Sequence, residues 1–386
     1  MRVAHLSLRD FRNYATAELP LEAGANLLVG RNGQGKTNLA EAIAYFSSLR
    51  SHRVSSDAPL VRFGESSAFL RLRVEANERT VMLDLQINRE GPNRAQVNSN
   101  ATPPRELTRW FAAVAFVPED LSIVRGEPSI RRRFLDEALI SRHPAAAGVL
   151  QDYERVLRQR TALLKSARGR AAQIESTLPV WDEQLVLLGS QIMLARREYV
   201  RDSAPHLVAA YASLVGEDHG PSCAMVETAL GDVSRETGNE LHGVDVSRET
   251  LEARFRATLG GLRQREVDRG MTLAGPHRDD LTMTLNGLPV KGYASHGESW
   301  SFALGLKLSL ARVLREQSSA GDPVMILDDV FAELDGERRA RLMKSVNEFE
   351  QVIVTAAVES DVPADVEWHK VKVSAGTVSL EGEPND

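Results

Sequence analysis

The sequence predicts an α/β fold, in which a nucleotide-binding domain is made from both ends of the chain and a helical lobe is inserted between them. Three observations predict it. A short apolar strand, NLLV, runs into a glycine-rich loop near the N-terminus. A second apolar strand, VMIL, ends in the paired aspartates Asp328 and Asp329. Between them, residues 129 to 214 carry Leu, Ile, Val and Trp at three- and four-residue steps with few turn signals.

The 386 residues leave room for two or three domains and a sizeable core. Hydrophobic (42%) and charged (26%) contents are those of a soluble globular protein. No apolar run approaches the roughly 18 residues that span a bilayer, and MRVAHLSLRDF lacks a signal-peptide core. A membrane partner is therefore not expected. The single cysteine, Cys223, leaves no intramolecular disulfide and no cysteine-rich zinc site, which favours a reducing, cytoplasmic setting. The net charge of −6 is unevenly spread. From Glu217 to Glu252 nine acids face two arginines, so the remainder is near neutral and contains basic clusters. Local charge, not the total, decides the partner.

Each element follows in order. VAHLSL, ATAELPL and NLLVG read as short strands, and NLAEAIAYFSSLR has helical apolar spacing. AFLRLRVEA, RTVMLDLQI and RAQVNS alternate at period two, as in an antiparallel meander. The helical lobe follows, with breaks expected near Gly169 and Pro179. Residues at about 216–250 are acidic and weakly periodic and read as an exposed loop. LTMTLNG, VMILDD and QVIVTAA read as strands, with KVKVS and TVSLEG at the end. The expected division is a discontinuous head, 1–119 and 266–386, around a helical arm, 120–265. DVSRET occurs twice, at 232–237 and 245–250. This is either a duplicated loop or the trace of two palindromic sites in the gene, since VSRET can be encoded by GTTTCACGTGAAAC.

GRNGQGKT, Gly30 to Thr37, fits the phosphate loop G-x-x-x-x-G-K-[ST] in its required strand–loop–helix context. Gly30, Gly33 and Gly35 let the backbone bend so that successive N–H groups, with those of Arg31, Asn32, Gln34 and Asn38, face a β-phosphate. Lys36 supplies charge to the β- and γ-oxygens of ATP, and the Thr37 hydroxyl is a candidate Mg²⁺ ligand. Asp328 is the second candidate Mg²⁺ ligand, and Asp329 the group that orients or deprotonates the attacking water. Arg12 and Asn13 are candidate nucleotide contacts, and Glu119 and Asp120 candidates to reach Mg²⁺ or water.

A second phosphate-binding helix start occurs at GYASHGESWSFAL, residues 292 to 304. The order phosphate loop, SHGES, apolar-DD, then the LD turn at Asp335 resembles the ABC-type ATPase head. In that superfamily the signature caps the γ-phosphate held by the partner subunit's loop. The resemblance implies that role for Ser295, Gly297 and Glu298, and it implies a two-fold homodimer. LRDFRNY at 8–14, RSHR at 50–53, FVPEDLSIVRGEPSIRRRFLD at 116–136 and GPHRDDL at 275–281 narrow the resemblance. Together with the phosphate loop and VMILDDVFAELD, they resemble the RecF family over nearly the whole chain. The resemblance implies weak, DNA-stimulated ATP hydrolysis and ATP-dependent dimerisation. It also implies binding to gapped DNA, single- and double-stranded, and action with RecO and RecR to place RecA. Two departures stand out. The signature lacks the usual Leu and second Gly, and the position of the superfamily's switch His reads Thr355.

Phosphate binding by DNA contacts needs basic surface. Arg131, Arg132 and Arg133 form one cluster. Arg155, Arg158, Arg160, Lys165, Arg168 and Arg170 form another, and Arg254, Arg256, Arg263 and Arg265 a third. Aromatic residues are only 5%, so backbone and shape recognition is expected rather than base reading. The rivals are a long-armed chromosome-organising or break-repair ATPase, a transporter's nucleotide-binding subunit and a non-hydrolysing scaffold. The interrupted helical region and missing Cys-x-x-Cys hook disfavour the first. The helical insertion disfavours the second, and Asp329 the third.

Overall fold

The computed structural model describes residues 1–166, 174, 176–230 and 246–380. The chain starts with β1 (Arg2–Phe11), β2 (Tyr14–Pro20), β3 (Gly24–Val29) and α1 (Lys36–Ser48). The meander follows as β4 (Ser67–Ala76), β5 (Arg79–Asn88), β6 (Arg94–Val97) and β7 (Asn100–Thr102), and then β8 (Ala113–Phe116). The helical stretch comprises α2 (Leu121–Arg125), α3 (Pro128–Arg142), α4 (Ala146–Ser166) and α5 (Leu178–Val215). Next come β9 (Ser222–Val226), α6 (Arg248–Arg269), β10 (Asp280–Leu285), β11 (Leu288–Pro289) and the short α7 (Val290–Tyr293). The chain closes with α8 (His296–Gln317), β12 (Val324–Asp328), α9 (Gly336–Val346), β13 (Gln351–Ala356), β14 (His369–Ser374) and β15 (Thr377–Leu380).

These elements form two compact units. The first comprises Met1–Leu121, Pro205–His219 and Ser295–Asp386. It holds two six-stranded sheets. One is antiparallel, in the order β2-β1-β4-β5-β6-β7. The strict alternation of β4, with Ala68, Leu70, Leu72 and Val74 buried and Phe69, Arg71 and Arg73 exposed, gives that sheet one core face and one solvent face. The other runs β15-β14-β3-β13-β12-β8, with β14, β3, β13, β12 and β8 parallel. Its central strands β12 and β13 are buried along their whole length, as near-continuous apolar strands must be. One core joins Leu6, Leu28, Ile43 and Phe46 with Leu70, Ile326 and Ile353.

The second unit comprises Ser122–Ala204 and Gly220–Ala294. Its centre is polar as well as apolar. Arg160 on α4, fully buried, donates to Asp182 at 2.8 Å, Glu266 at 2.6 Å and the Thr272 hydroxyl at 2.8 Å.

The structure departs from the expected division in three places. The return to the head falls at Ser295 and not near residue 266, because β10 hydrogen-bonds β9 and β11 in a separate three-stranded sheet. Residues 205–219 at the end of α5 join the head unit, and that division falls at Pro205, the proline inside the helix. The acidic stretch is not all loop. Ser222–Val226 is a strand, and buried Glu227 pairs with Arg197. Pro179 does not break a helix: it lies in the first turn of α5, where its missing N–H has no intrahelical partner to lose. Gly169 and the first DVSRET copy lie outside the described residues. In the second copy Ser247 caps α6, accepting from the Thr250 N–H at 3.3 Å.

Candidate active site

The phosphate loop leaves β3 at Gly30 and enters α1 at Lys36. Glycine is required where the loop is tightest. A Cβ on Gly30 would lie 2.1 Å from the Val373 carbonyl oxygen. Gly35 adopts φ 115°, and a Cβ there would lie 2.6 Å from the Tyr14 hydroxyl oxygen. Lys36 is 3% exposed, and its Nζ donates to the Gly30 carbonyl at 2.7 Å and the Arg31 carbonyl at 3.4 Å. Among the described residues it pairs with no carboxylate. Gln34 is held from two sides: its Oε1 accepts from Ala375 N–H, and its carbonyl accepts from Asn13 Nδ2 at 3.3 Å. Asn38 Nδ2 donates to Asn13 Oδ1 at 2.7 Å, so Asn13 and Asn38 line the same rim.

β13 lies between β3 and β12, so the ends of three parallel strands meet beside the loop. Thr37 Oγ1 donates to Asp328 Oδ1 at 3.1 Å. Thr355, at the end of β13, donates to the same Oδ1 at 2.6 Å and accepts from the Asp329 backbone N–H at 2.9 Å. Asp329 is held in the left-handed region at φ 51°, an uncommon conformation for a residue with a side chain. Burial raises the Asp328 carboxyl to a pKa of about 6, helped by the Asp329 charge and opposed by the Thr355 and Thr37 hydroxyls. Thr355 thus forms a hydrogen-bonding bridge between the two aspartates. Its hydroxyl chemistry is visible in the sequence, but its role needed the strand order.

Ser295, Gly297 and Glu298 form a second group at the start of α8. Ser295 Oγ accepts from the Glu298 N–H at 3.2 Å, and Glu298 Oε2 accepts from the Ser295 N–H at 2.7 Å, a reciprocal capping box. These bonds hold the Glu298 carboxyl below its ordinary range. A Cβ on Gly297 would lie 2.4 Å from an Arg338 nitrogen. Asp335 caps α9 by accepting from the Arg338 N–H at 2.9 Å.

Several candidates are engaged elsewhere. Arg12 donates to Glu41 of α1 at 2.9 and 2.7 Å and to the Pro59 carbonyl. Burial opposes ionisation of Glu41, yet hydrogen bonds from Arg12 and Ser51 and the charges of Arg12 and Arg53 hold its pKa below the usual range. Asp120 is buried and paired with Lys307 at 3.0 Å. Glu119 is exposed.

The basic clusters split by helical phase. Arg131 is buried and forks onto Asp280 at 2.6 and 2.9 Å, so it braces the second unit and is not a free phosphate contact. Arg132 donates to the Asp279 carbonyl at 2.9 Å, and Arg133 is exposed. Arg160 occupies the buried stripe Tyr153, Val156, Arg160, Leu164. That spacing was the available signal that it faces inward. Arg155 and Arg158 are about two-thirds exposed, with loose pairs to Asp152 and Glu154 on their own helix. Lys165, Arg254 and Arg265 are exposed, whereas Arg256 pairs with Glu183 and Arg263 with Asp182. Arg168 and Arg170 lie outside the described residues.

A glycine loop between strand and helix, with paired carboxylates two strands away on the same parallel sheet, defines a P-loop nucleotide-binding head. A family profile for the RecF/RecN/SMC N terminal domain matches residues 2–378. The chain is 52% identical to the DNA replication and repair protein RecF of Leifsonia xyli subsp. xyli (strain CTCB07), over 98% of this chain and 99% of that one. It is 53% identical to that of Clavibacter sepedonicus, over 98% and 95%. Among solved structures, the recombination mediator protein RecF-ATPrS in the RecFOR pathway superposes with a TM-score of 0.87 at 28% identity, covering 99% of this chain and 98% of that one. The Smc head domain of Pyrococcus furiosus shares the fold, with a TM-score of 0.53 at 14% identity over 98% and 95%. The chain belongs to the RecF family.

Proposed function

We propose that this protein is an ATP-switched DNA clamp of recombinational repair, a homodimer that closes on gapped DNA and works with RecO and RecR to load RecA. The observation that carries the reading is the joining of Lys36, Thr37, Asp328 and Asp329 beside a glycine cradle, in a head that also bears the Ser295–Glu298 helix start. Relatives named RecF and a structure described as RecF-ATP support the nucleotide and the pathway.

The residues present fit a magnesium nucleotide. The cradle at Gly30 admits no Cβ, Lys36 is a buried cation held by carbonyls, and Thr37 and Asp328 offer hard oxygen donors 3.1 Å apart. Thr37 and Asp328 would hold Mg²⁺, which supplies charge neutralisation at the β- and γ-oxygens. Lys36 exchanges its carbonyl partners for phosphate oxygens. Asp329, set by the Thr355 bridge, orients a water and takes its proton. Aspartate is one methylene shorter than the glutamate common elsewhere in the superfamily, which favours slow turnover and a switch over a motor. ATP shared between two chains stabilises the dimer by mass action. Arg133, Arg155, Arg158 and Lys165 are the proposed phosphate contacts on DNA.

The test is ADP release with and without a gapped duplex. Slow release that the duplex accelerates, and that Lys36→Met and Asp329→Asn both abolish, supports the reading. Release that is fast without DNA, or that survives Asp329→Asn, contradicts it.

A further inference from the structure

The antiparallel sheet of the first unit ends on β7, three residues long and, among the described residues, paired on one side only. β6 and β7 are joined by a two-residue turn in which Asn98 (φ 48°) and Ser99 (φ 66°) are both left-handed. Val97 pairs with Asn100, Gln96 with Ala101 and Ala95 with Thr102. In such a hairpin the pair closing the turn exchanges backbone hydrogen bonds, and the next pair directs its N–H and C=O away. Ala101 therefore presents its N–H and C=O to the open edge.

Beside that edge lies a 3₁₀ turn, Pro104–Arg109, that ends in Trp110. Leu107 and Phe111 are buried on either side of Trp110 and fix the turn to the core, while Trp110 itself is 46% exposed. A cavity of about 520 Å³ opens between Trp110, Arg109 and Glu106 on the turn and Asn98, Asn100 and Ala101 on the hairpin. It meets a larger groove, about 880 Å³, at Ala101 and Thr102, and exposed Arg94 lines that groove. Arg105 and Arg109 are both exposed and share one carboxylate, that of Glu106, at 3.9 and 3.1 Å. The wall beside the open edge is thus net positive.

We propose that this edge is a docking site for an extended, acidic segment of a partner protein. The segment adds to β7 by backbone bonds at Ala101, seats one large apolar side chain against Trp110 and places a carboxylate near Arg105 and Arg109. The apolar shelf supplies affinity, the outward N–H and C=O of Ala101 supply direction, and the arginines select acidic sequence. A three-residue edge is too short to recruit strands unselectively, which is how natural sheets keep such edges from aggregating.

The probe is a fluorescein-labelled decapeptide that alternates Asp with Leu and Phe, read by anisotropy on the full-length protein without nucleotide. A lysine-for-aspartate copy is the charge control. The account expects saturable binding of the acidic peptide only, weakened at least tenfold by Trp110→Ala and by Arg109→Glu. Ala101→Pro removes the outward N–H at an edge position where the proline ring is tolerated, so it also weakens binding, and nucleotide binding by each variant confirms that the head is folded. Equal binding of both peptides, indifference to Trp110→Ala and Ala101→Pro, or no binding at millimolar protein overturns the proposal. Nucleotide-free self-association that Ala101→Pro abolishes also overturns it, because the edge then belongs to a second copy of the chain.

Discussion

Lys36 and Arg160 are both buried cations, one in each unit, and they differ in what surrounds them. Arg160 is enclosed by the carboxylates of Asp182 and Glu266 and the hydroxyl of Thr272. Lys36, among the described residues, has only the carbonyls of Gly30 and Arg31. A guanidinium matched by two carboxylates is neutralised, and its role is structural. An ammonium without an anion in a glycine cradle keeps its charge for a ligand. Charge balance around a buried cation therefore separates scaffold from site, where the bare presence of a basic residue does not.

The largest test of that contrast is stability. Arg160→Met leaves Glu266 buried without its ion-pair partner and Asp182 with Arg263 alone, and is expected to cost about 3–5 kcal/mol. Lys36→Met removes no ion pair and is expected to cost about 1 kcal/mol or less, while abolishing nucleotide binding. Urea unfolding and nucleotide titration of both variants check this. Comparable destabilisation by the two would erase the distinction.

Next in size is Gly30→Ala. The added methyl has no room against the Val373 carbonyl, so the expected loss is about 1–3 kcal/mol, together with weakened nucleotide binding. Thermal unfolding and the same titration read it. Unchanged stability would mean that the cradle yields easily.

Asp328 sharpens the contrast from the acidic side. Its folded pKa, about 6, lies above the unfolded value, so the folded state binds the proton more tightly. The stabilising contribution of that proton is full below the unfolded pKa and is lost as pH rises through about 6. Asp328→Asn keeps an oxygen for Thr37 and Thr355 and no longer buries a charge. It is expected to raise stability at pH 8 by about 1 kcal/mol and to remove the magnesium dependence of nucleotide binding. Denaturant curves at pH 8 and pH 5 test the sign, since the gain shrinks at the lower pH. A variant less stable at both would contradict the burial argument.

The smallest effect belongs to the exposed arm arginines. Arg155→Ala with Arg158→Ala is expected to change stability by less than about 0.5 kcal/mol. It is expected to lower the slope of log affinity for DNA against log salt by about 1–2. An unchanged slope would remove both residues from the DNA surface.

The same contrast explains what was legible in the sequence. The phosphate loop and the DD strand are backbone devices, specified by glycines and by an apolar run at fixed spacing, and both fell where the sequence put them. The antiparallel meander was legible for the same reason, because the period of two fixes which face is buried. The basic clusters were not, since neighbouring residues on a helix face opposite ways. Arg131 turned inward and Arg133 outward, and only the phase with Phe134 and Ala138 tells them apart. The pairing of Arg12 was not legible because its carboxylate partner, Glu41, lies 29 residues away. The unit boundary at Ser295 was hidden because a strand motif does not declare which sheet it joins.

The central claim is that two chains share each nucleotide, and molar mass in solution tests it most directly. Light scattering is recorded without nucleotide, with ATP and Mg²⁺, and for Lys36→Met and Ser295→Asp. Aspartate preserves the helix cap and sets a negative charge where the partner's γ-phosphate would lie. The account predicts a dimer with ATP and Mg²⁺ that both variants lose, while Ser295→Asp still binds nucleotide as a monomer. A monomer under every condition, or a dimer that Ser295→Asp leaves intact, would contradict it.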